Sequence, residues 1–72
     1  LARVGRGAEP ALRALLDALD DKDKTVRAQA ARALGRIGPP AREAVPALTA
    51  MSQDSDVIVS REARVALESI GP

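Results

Sequence analysis

Apolar residues recur along this chain with the period of a helix. Over residues 9–20, Leu12, Leu15, Leu16 and Leu19 fall at i, +3, +4 and +7, which places them on one helical face. Glu9, Arg13 and Asp17 follow one another at i, i+4 on the other face, a solvated row with weak ion-pair support. Pro10 stands in the first turn, where its missing N–H costs nothing. Asp20-Asp21-Lys22-Asp23 interrupts the pattern with a polar turn. A second helix is predicted over 24–37, capped by Asp23. Its buried stripe is Val26, Ala30, Ala33, Leu34 and Ile37, with Arg32 and Arg36 on the opposite side. Gly38 and Pro39 end it, glycine for the left-handed position after a helix and proline because it cannot continue one.

The pattern then starts again. A shift of 33 positions lays Leu1, Arg3, Gly5 and Ala8 on Leu34, Arg36, Gly38 and Ala41 without a gap. The same shift lays Asp21, Asp23 and Val26 on Asp54, Asp56 and Val59, and Ile37-Gly38-Pro39 on Ile70-Gly71-Pro72. Two alanine-rich helices match at Ala and Leu by chance; matches at Gly, Pro and paired Asp in the loops require a repeat. The second copy predicts a helix over 40–52, packed through Ala44, Val45, Leu48 and Met51, and another over 57–70, packed through Val59, Ala63, Ala66, Leu67 and Ile70. Pro46 lies inside the first of these and is expected to bend it. Val57-Ile58-Val59 is a β-branched and poor helix start, so the second inter-helix turn is expected to be the less regular one. The predicted fold is all-α: four antiparallel helices in two stacked hairpins. Residues 1–5 read as the tail of a preceding repeat, 6–38 as repeat one and 39–72 as repeat two, a segment of a longer solenoid.

Composition sharpens this in a few respects. The 72 residues include no Cys, His or aromatic side chain, so the core must come from Ala, Leu, Val, Ile and Met51 alone. A core built at this length supplies only about 3–5 kcal/mol. Stacked repeats need about three units and polar ends to be stable, and neither end reads as a polar cap. Self-association through the open ends is therefore expected. The net charge of +1 argues against a strongly basic nucleic-acid binder. No apolar run reaches the length of a membrane span and no signal peptide stands at the start. These features, with the lack of Cys, fit a cytoplasmic protein.

Two stretches carry a resemblance: Ala33-Leu34-Gly35-Arg36-Ile37-Gly38-Pro39-Pro40-Ala41-Arg42-Glu43-Ala44-Val45-Pro46-Ala47-Leu48, and Asp21-x-Asp23-x-x-Val26-Arg27-x-x-Ala30-Ala31-x-Ala33-Leu34. Both resemble the HEAT-like repeats of phycobilisome lyases and of many bacterial scaffold proteins, and the likeness extends over the whole chain. It implies a polar ladder, in which an Asp of the inter-helix turn and an Arg six residues later tie neighbouring repeats together. Asp21 and Arg27 match that spacing; repeat two keeps Asp54 but has Ser60 at the Arg position and Arg61 beside it. It also implies that the second helices line a concave surface.

Catalysis has little to work with. The common general base and the best nucleophile, His and Cys, are missing, and no nucleophile elbow, phosphate loop or dinucleotide fingerprint is present. We expect no enzyme, no cofactor and no metal site. Asp20, Asp21 and Asp23 could suggest calcium, but Lys22 interrupts them and the spacing fits a turn followed by an N-cap. The candidate recognition residues are Arg3, Arg32, Arg36, Arg61 and Arg64, on second helices. A row of arginines there suits an acidic or phosphate-bearing partner, and the resemblance includes DNA glycosylases that use such a surface on DNA. Glu62 and Glu68 dilute the row, and no aromatic side chain is available to stack on bases. An exposed arginine is also an ordinary solvated residue. The expected function is a protein-interaction or scaffold module with a partner of unspecified identity; the alternative is an anion- or nucleic-acid-binding module. Bilin-lyase activity follows from the resemblance alone, a weak warrant.

Overall fold

A computed structural model describes residues 10–71 of the chain, so Glu9, Arg3 and the 1–5 tail lie outside the described residues. Within that range the fold is the expected pair of helical hairpins: α1 (Pro10–Ala18), α2 (Lys24–Ile37), a 3-10 helix (Pro39–Ala44), α3 (Val45–Met51) and α4 (Val57–Ile70). No strand occurs among the described residues.

Helix α2 has a defined start and stop. The Asp23 carboxylate accepts the Thr25 N–H at 2.7 Å, satisfying one of the orphan donors of the first turn. Between these ends the alanine-rich sequence has high helix propensity. Gly38 closes it with φ +79°, as expected, but with ψ −145° and not the left-handed ψ that the sequence suggested. The cause is Pro39: a residue before proline is pushed to extended ψ. Positive φ with extended ψ is a region essentially reserved for glycine. Gly71, which precedes Pro72, repeats the geometry at φ 82° and ψ 176°.

The expected helix over 40–52 is two pieces. A 3-10 helix runs Pro39–Ala44, the backbone breaks from helical values at Ala41 (φ −88°, ψ 19°), and α3 begins at Val45. Pro46 therefore does not bend a continuous helix. It sits in the first turn of a new one, where an N–H would have no intrahelical partner anyway. The short pieces still bury their apolar side: Ala41, Ala44 and Leu48 are fully enclosed and Met51 nearly so.

The core runs between the two layers. Leu34, Leu48 and Val59 are its largest enclosed side chains, with alanines filling the rest. The stripe expected on α2 needs correction. Ala28 and Ala31 are buried although they lie off it, while Val26 and Ala33 are half-buried and Ile37 is 39% exposed. The reason is that α2 packs on two sides, against the first-helix layer and against α4, and α2–α4 is the most extensive helix pair. A single stripe describes only the first contact. Gly35 marks the second: a Cβ there would lie 3.0 Å from Ala66 Cα and 3.2 Å from Ala66 Cβ. Glycine costs helix stability in this position, and the return is that the two backbones approach closely.

Helix α1 differs from the others in having no fully buried residue. Leu12, Leu15 and Leu16 are half-buried against the core, and only Leu19, just past the helix, is enclosed. Arg13 and Asp17 form no ion pair among the described residues. The side of α4 turned away from α2 carries Arg64 and Glu68, both exposed.

Candidate functional site

The inter-helix turns set the geometry of the α2–α4 face. In each, the first Asp accepts the N–H of the residue two along: Asp21 Oδ1 from Asp23 at 2.8 Å and Asp54 Oδ1 from Asp56 at 2.7 Å. The second Asp caps the following helix. Asp23 makes one such bond, whereas Asp56 Oδ1 takes two, from Ile58 N–H at 2.9 Å and Val59 N–H at 3.1 Å. The second turn is thus no less regular than the first, contrary to what Val57-Ile58-Val59 led us to expect. Two cap bonds outweigh the modest β-branched penalty on the first turn. These carboxylates serve as turn and cap acceptors, which is the arrangement the spacing Asp21-x-Asp23 suggested.

Two ion pairs cross between the repeats. Arg27 donates through Nη1 to the carbonyls of Asp21 and Lys22, at 2.8 and 3.1 Å, and reaches Asp54 Oδ2 with Nη2 at 3.6 Å. Of the residues that the resemblance implied for a ladder, Arg27 and Asp54 meet through their side chains, while Asp21 offers Arg27 its backbone carbonyl and turns its carboxylate to the loop. A second rung, Lys24 Nζ to Asp56 Oδ2 at 3.2 Å, had no counterpart in the sequence reading. The signal was present, since Lys24 stands next to a cap and Asp56 is the cap one repeat on. The Val59 N–H holds the Asp56 carboxyl below its ordinary 3.8, and Lys24 and the Ile58 N–H add to this. Ser60, at the position of Arg27 in repeat two, is buried and donates to the Val57 carbonyl at 3.1 Å, so the ladder has no further arm there.

Beyond these rungs, a groove runs between α2 and α4. Its central part, about 560 Å³, is lined by Arg32, Gly35, Arg36 and Arg61, with Val65 and Ser69 on the α4 bank. Of the five arginines singled out from sequence, the structure brings together Arg32, Arg36 and Arg61. Arg64 is exposed but lies on the outward side of α4 and does not line the groove. Toward the helix N-termini the groove continues into a smaller hollow of about 230 Å³, lined by Ala28, Gln29, Ile58, Val59 and the Lys24–Asp56 pair. Arg32 and Glu62 border both parts. Among the described residues, Arg32, Arg36 and Arg61 make no ion pair and no side-chain hydrogen bond. Ile58 and Val65, at 62% and 52% exposure, are the residues sequence reasoning missed. Their signal was an apolar side chain off the buried stripe.

The arrangement offers charge-assisted donors and exposed apolar surface. Among the described residues no cluster of acidic side chains is placed to hold a metal ion, and no helix is long and apolar enough to cross a membrane. A family model described as HEAT repeats matches residues 1–72. No curated protein and no solved structure matches the chain.

Proposed function

We infer the function from membership: this chain belongs to the HEAT-repeat family, and stacked repeats of this kind act by presenting an extended surface to a partner. We propose a non-catalytic protein-interaction module whose working surface is the α2/α4 groove. The observation that carries this reading is the set of three arginines, without carboxylate partners among the described residues, beside the exposed Val65. Arginine next to apolar surface is the composition of protein interfaces, where charged lysine and glutamate are depleted and arginine is enriched. The outward side of α4 is the weaker candidate. Arg64 and Glu68 leave it a charged and fully solvated surface, poorly suited to stacking a second copy. The likeness to phycobilisome-lyase repeats rests on the quoted motifs, and we draw no lyase chemistry from it.

Site-specific photo-crosslinking tests the reading. A crosslinking side chain at Val65 should give adducts in cell extract that protease removes and nuclease does not. The same group at Glu43, on the first-helix layer, should give few. Adducts abolished by nuclease would favour the anion-binding alternative, and equal labelling at both positions would overturn the assignment of the groove.

A further inference from the structure

The two parts of the groove differ in chemistry, and the difference specifies a ligand. The hollow near the helix N-termini has an apolar floor of Ala28, Ile58 and Val59. Of the charged residues around it, Lys24 and Asp56 neutralise each other at 3.2 Å, and Arg32 and Glu62 stand at its border with the central part. Among the described residues, the central part carries three guanidinium groups without an ion-pair partner against the single carboxylate of Glu62. Ala28 and Gly35 mark the two parts, seven positions apart on one helix, a separation of about 10 Å at 1.5 Å per residue. An extended chain covers that distance in about three residues.

Resting on the interaction reading above, we propose that the groove takes an acidic peptide segment with an apolar side chain about three residues from a pair of carboxylates. The apolar side chain lies on Ala28, Ile58 and Val59. The carboxylates meet the forks of Arg32, Arg36 and Arg61, which match them in bidentate geometry. A nucleic-acid strand fits less well. It brings phosphates to the arginines but only a polar sugar–phosphate edge to the apolar floor, and the chain has no aromatic ring to stack a base. Glu62, between the two parts, sets the register by repelling a carboxylate placed too near the apolar end.

Fluorescence anisotropy with defined probes tests this. The probe is a fluorescein-labelled peptide of one leucine, two serines and two glutamates in that order. The controls replace the leucine by serine or the glutamates by glutamine, and oligothymidylate of equal charge stands for nucleic acid. The full probe should bind, and each control peptide should bind about tenfold more weakly. Arg36→Ala with Arg61→Ala should weaken the full probe about tenfold and flatten its salt dependence. Ile58→Ser should weaken it severalfold with the salt dependence retained. All three positions are exposed, and an unchanged helical circular dichroism signal in each variant verifies the fold. Equal binding of the leucine-free peptide, tighter binding of oligothymidylate, or no binding of the full probe would overturn the proposal. If these occur while crosslinking at Val65 still yields protein adducts, only the ligand class fails. If both experiments are blank, the interaction reading fails with it.

Discussion

Helices α2 and α4 occupy equivalent places in successive repeats, yet their outward sides are built for different neighbours. On α2, the side that meets α4 presents Lys24, Arg27, Ala28, Ala31 and Gly35: two cations for the rungs, then small residues that let the next helix come so close that a Cβ on Gly35 would lie 3.0 Å from Ala66 Cα. Thirty-three positions on, α4 presents Val57, Ser60, Arg61, Arg64 and Glu68. Neither rung can be made from Val57 and Ser60, and long charged side chains stand where the small ones were. The inward stripes of the two helices are nearly identical by comparison, with Ala30, Leu34 and Ile37 aligned on Ala63, Leu67 and Ile70. The comparison separates two instructions in one repeat. Folding a hairpin needs the aliphatic stripe; stacking one hairpin on another in this geometry needs a different five-residue face. Repeat two has the first and lacks the second.

Paired substitutions break the comparison most sharply at the stripe. Leu34 is fully enclosed because α2 is covered on two sides, while its counterpart Leu67 is half-buried. Leu34→Ala should cost about 2–5 kcal/mol, comparable with the whole stability of so small a core, and Leu67→Ala about 1–2 kcal/mol. Urea titration followed by far-ultraviolet circular dichroism measures both, since the chain has no aromatic fluorophore. Equal losses would mean that α2 is not the more enclosed helix.

The stacking face gives the next largest effect. Gly35→Glu writes the residue of α4 into α2, and its Cβ meets Ala66 with no room to spare. Overpacking of this sort costs about 1–3 kcal/mol. The reverse change, Glu68→Gly, is at an exposed position and should lose only helix propensity, about 1 kcal/mol. A Gly35→Glu protein as stable as the parent would show that the close approach of α2 and α4 is not required.

At the caps the order reverses, and repeat two becomes the more sensitive. Asp23→Ala removes one cap bond and should cost about 1 kcal/mol. Asp56→Ala removes two cap bonds and the Lys24 pair, so its melting temperature should fall further.

The smallest effect is one of pH. The folded Asp56 carboxyl lies below its ordinary value, so its contribution to stability is complete above about pH 4 and is lost as pH falls through the folded pKa. Acidification below about pH 3 should lower the melting temperature more in the parent than in Asp56→Asn. Parallel acid limbs in the two proteins would remove Asp56 from the account.

The sequence predicted these elements wherever a local signal and the packing agree. The bounds of α2 and α4, the caps Asp23 and Asp56 and the Arg27 rung all follow from residue type and spacing. The break at Ala41 was not legible, because a proline at position 46 is compatible both with a bent helix and with the start of a new one. Burial of Ala28 and Ala31 was also hidden, since periodicity reports one apolar face and α2 uses two. For the groove, sequence indicated which arginines are exposed but not which converge. Arg61 and Arg64 are a single turn apart, and only the position of α2 decides that Arg61 shares the groove with Arg32 and Arg36 while Arg64 looks away. Ile58 and Val65 left only a faint mark, an apolar side chain off the buried stripe, which by itself does not distinguish a working surface from an ordinary exposed aliphatic residue.

Helix α1, which encloses none of its own side chains, has a consequence for how the molecule breathes. The helix is held by half-buried side chains alone, so amide protons from Ala11 to Ala18 should exchange through local opening before the chain unfolds as a whole. Amides on the mutually packed sides of α2 and α4, where Gly35 meets Ala66, should exchange only when the pair separates. Protection should therefore rise from α1 toward the α2–α4 seam.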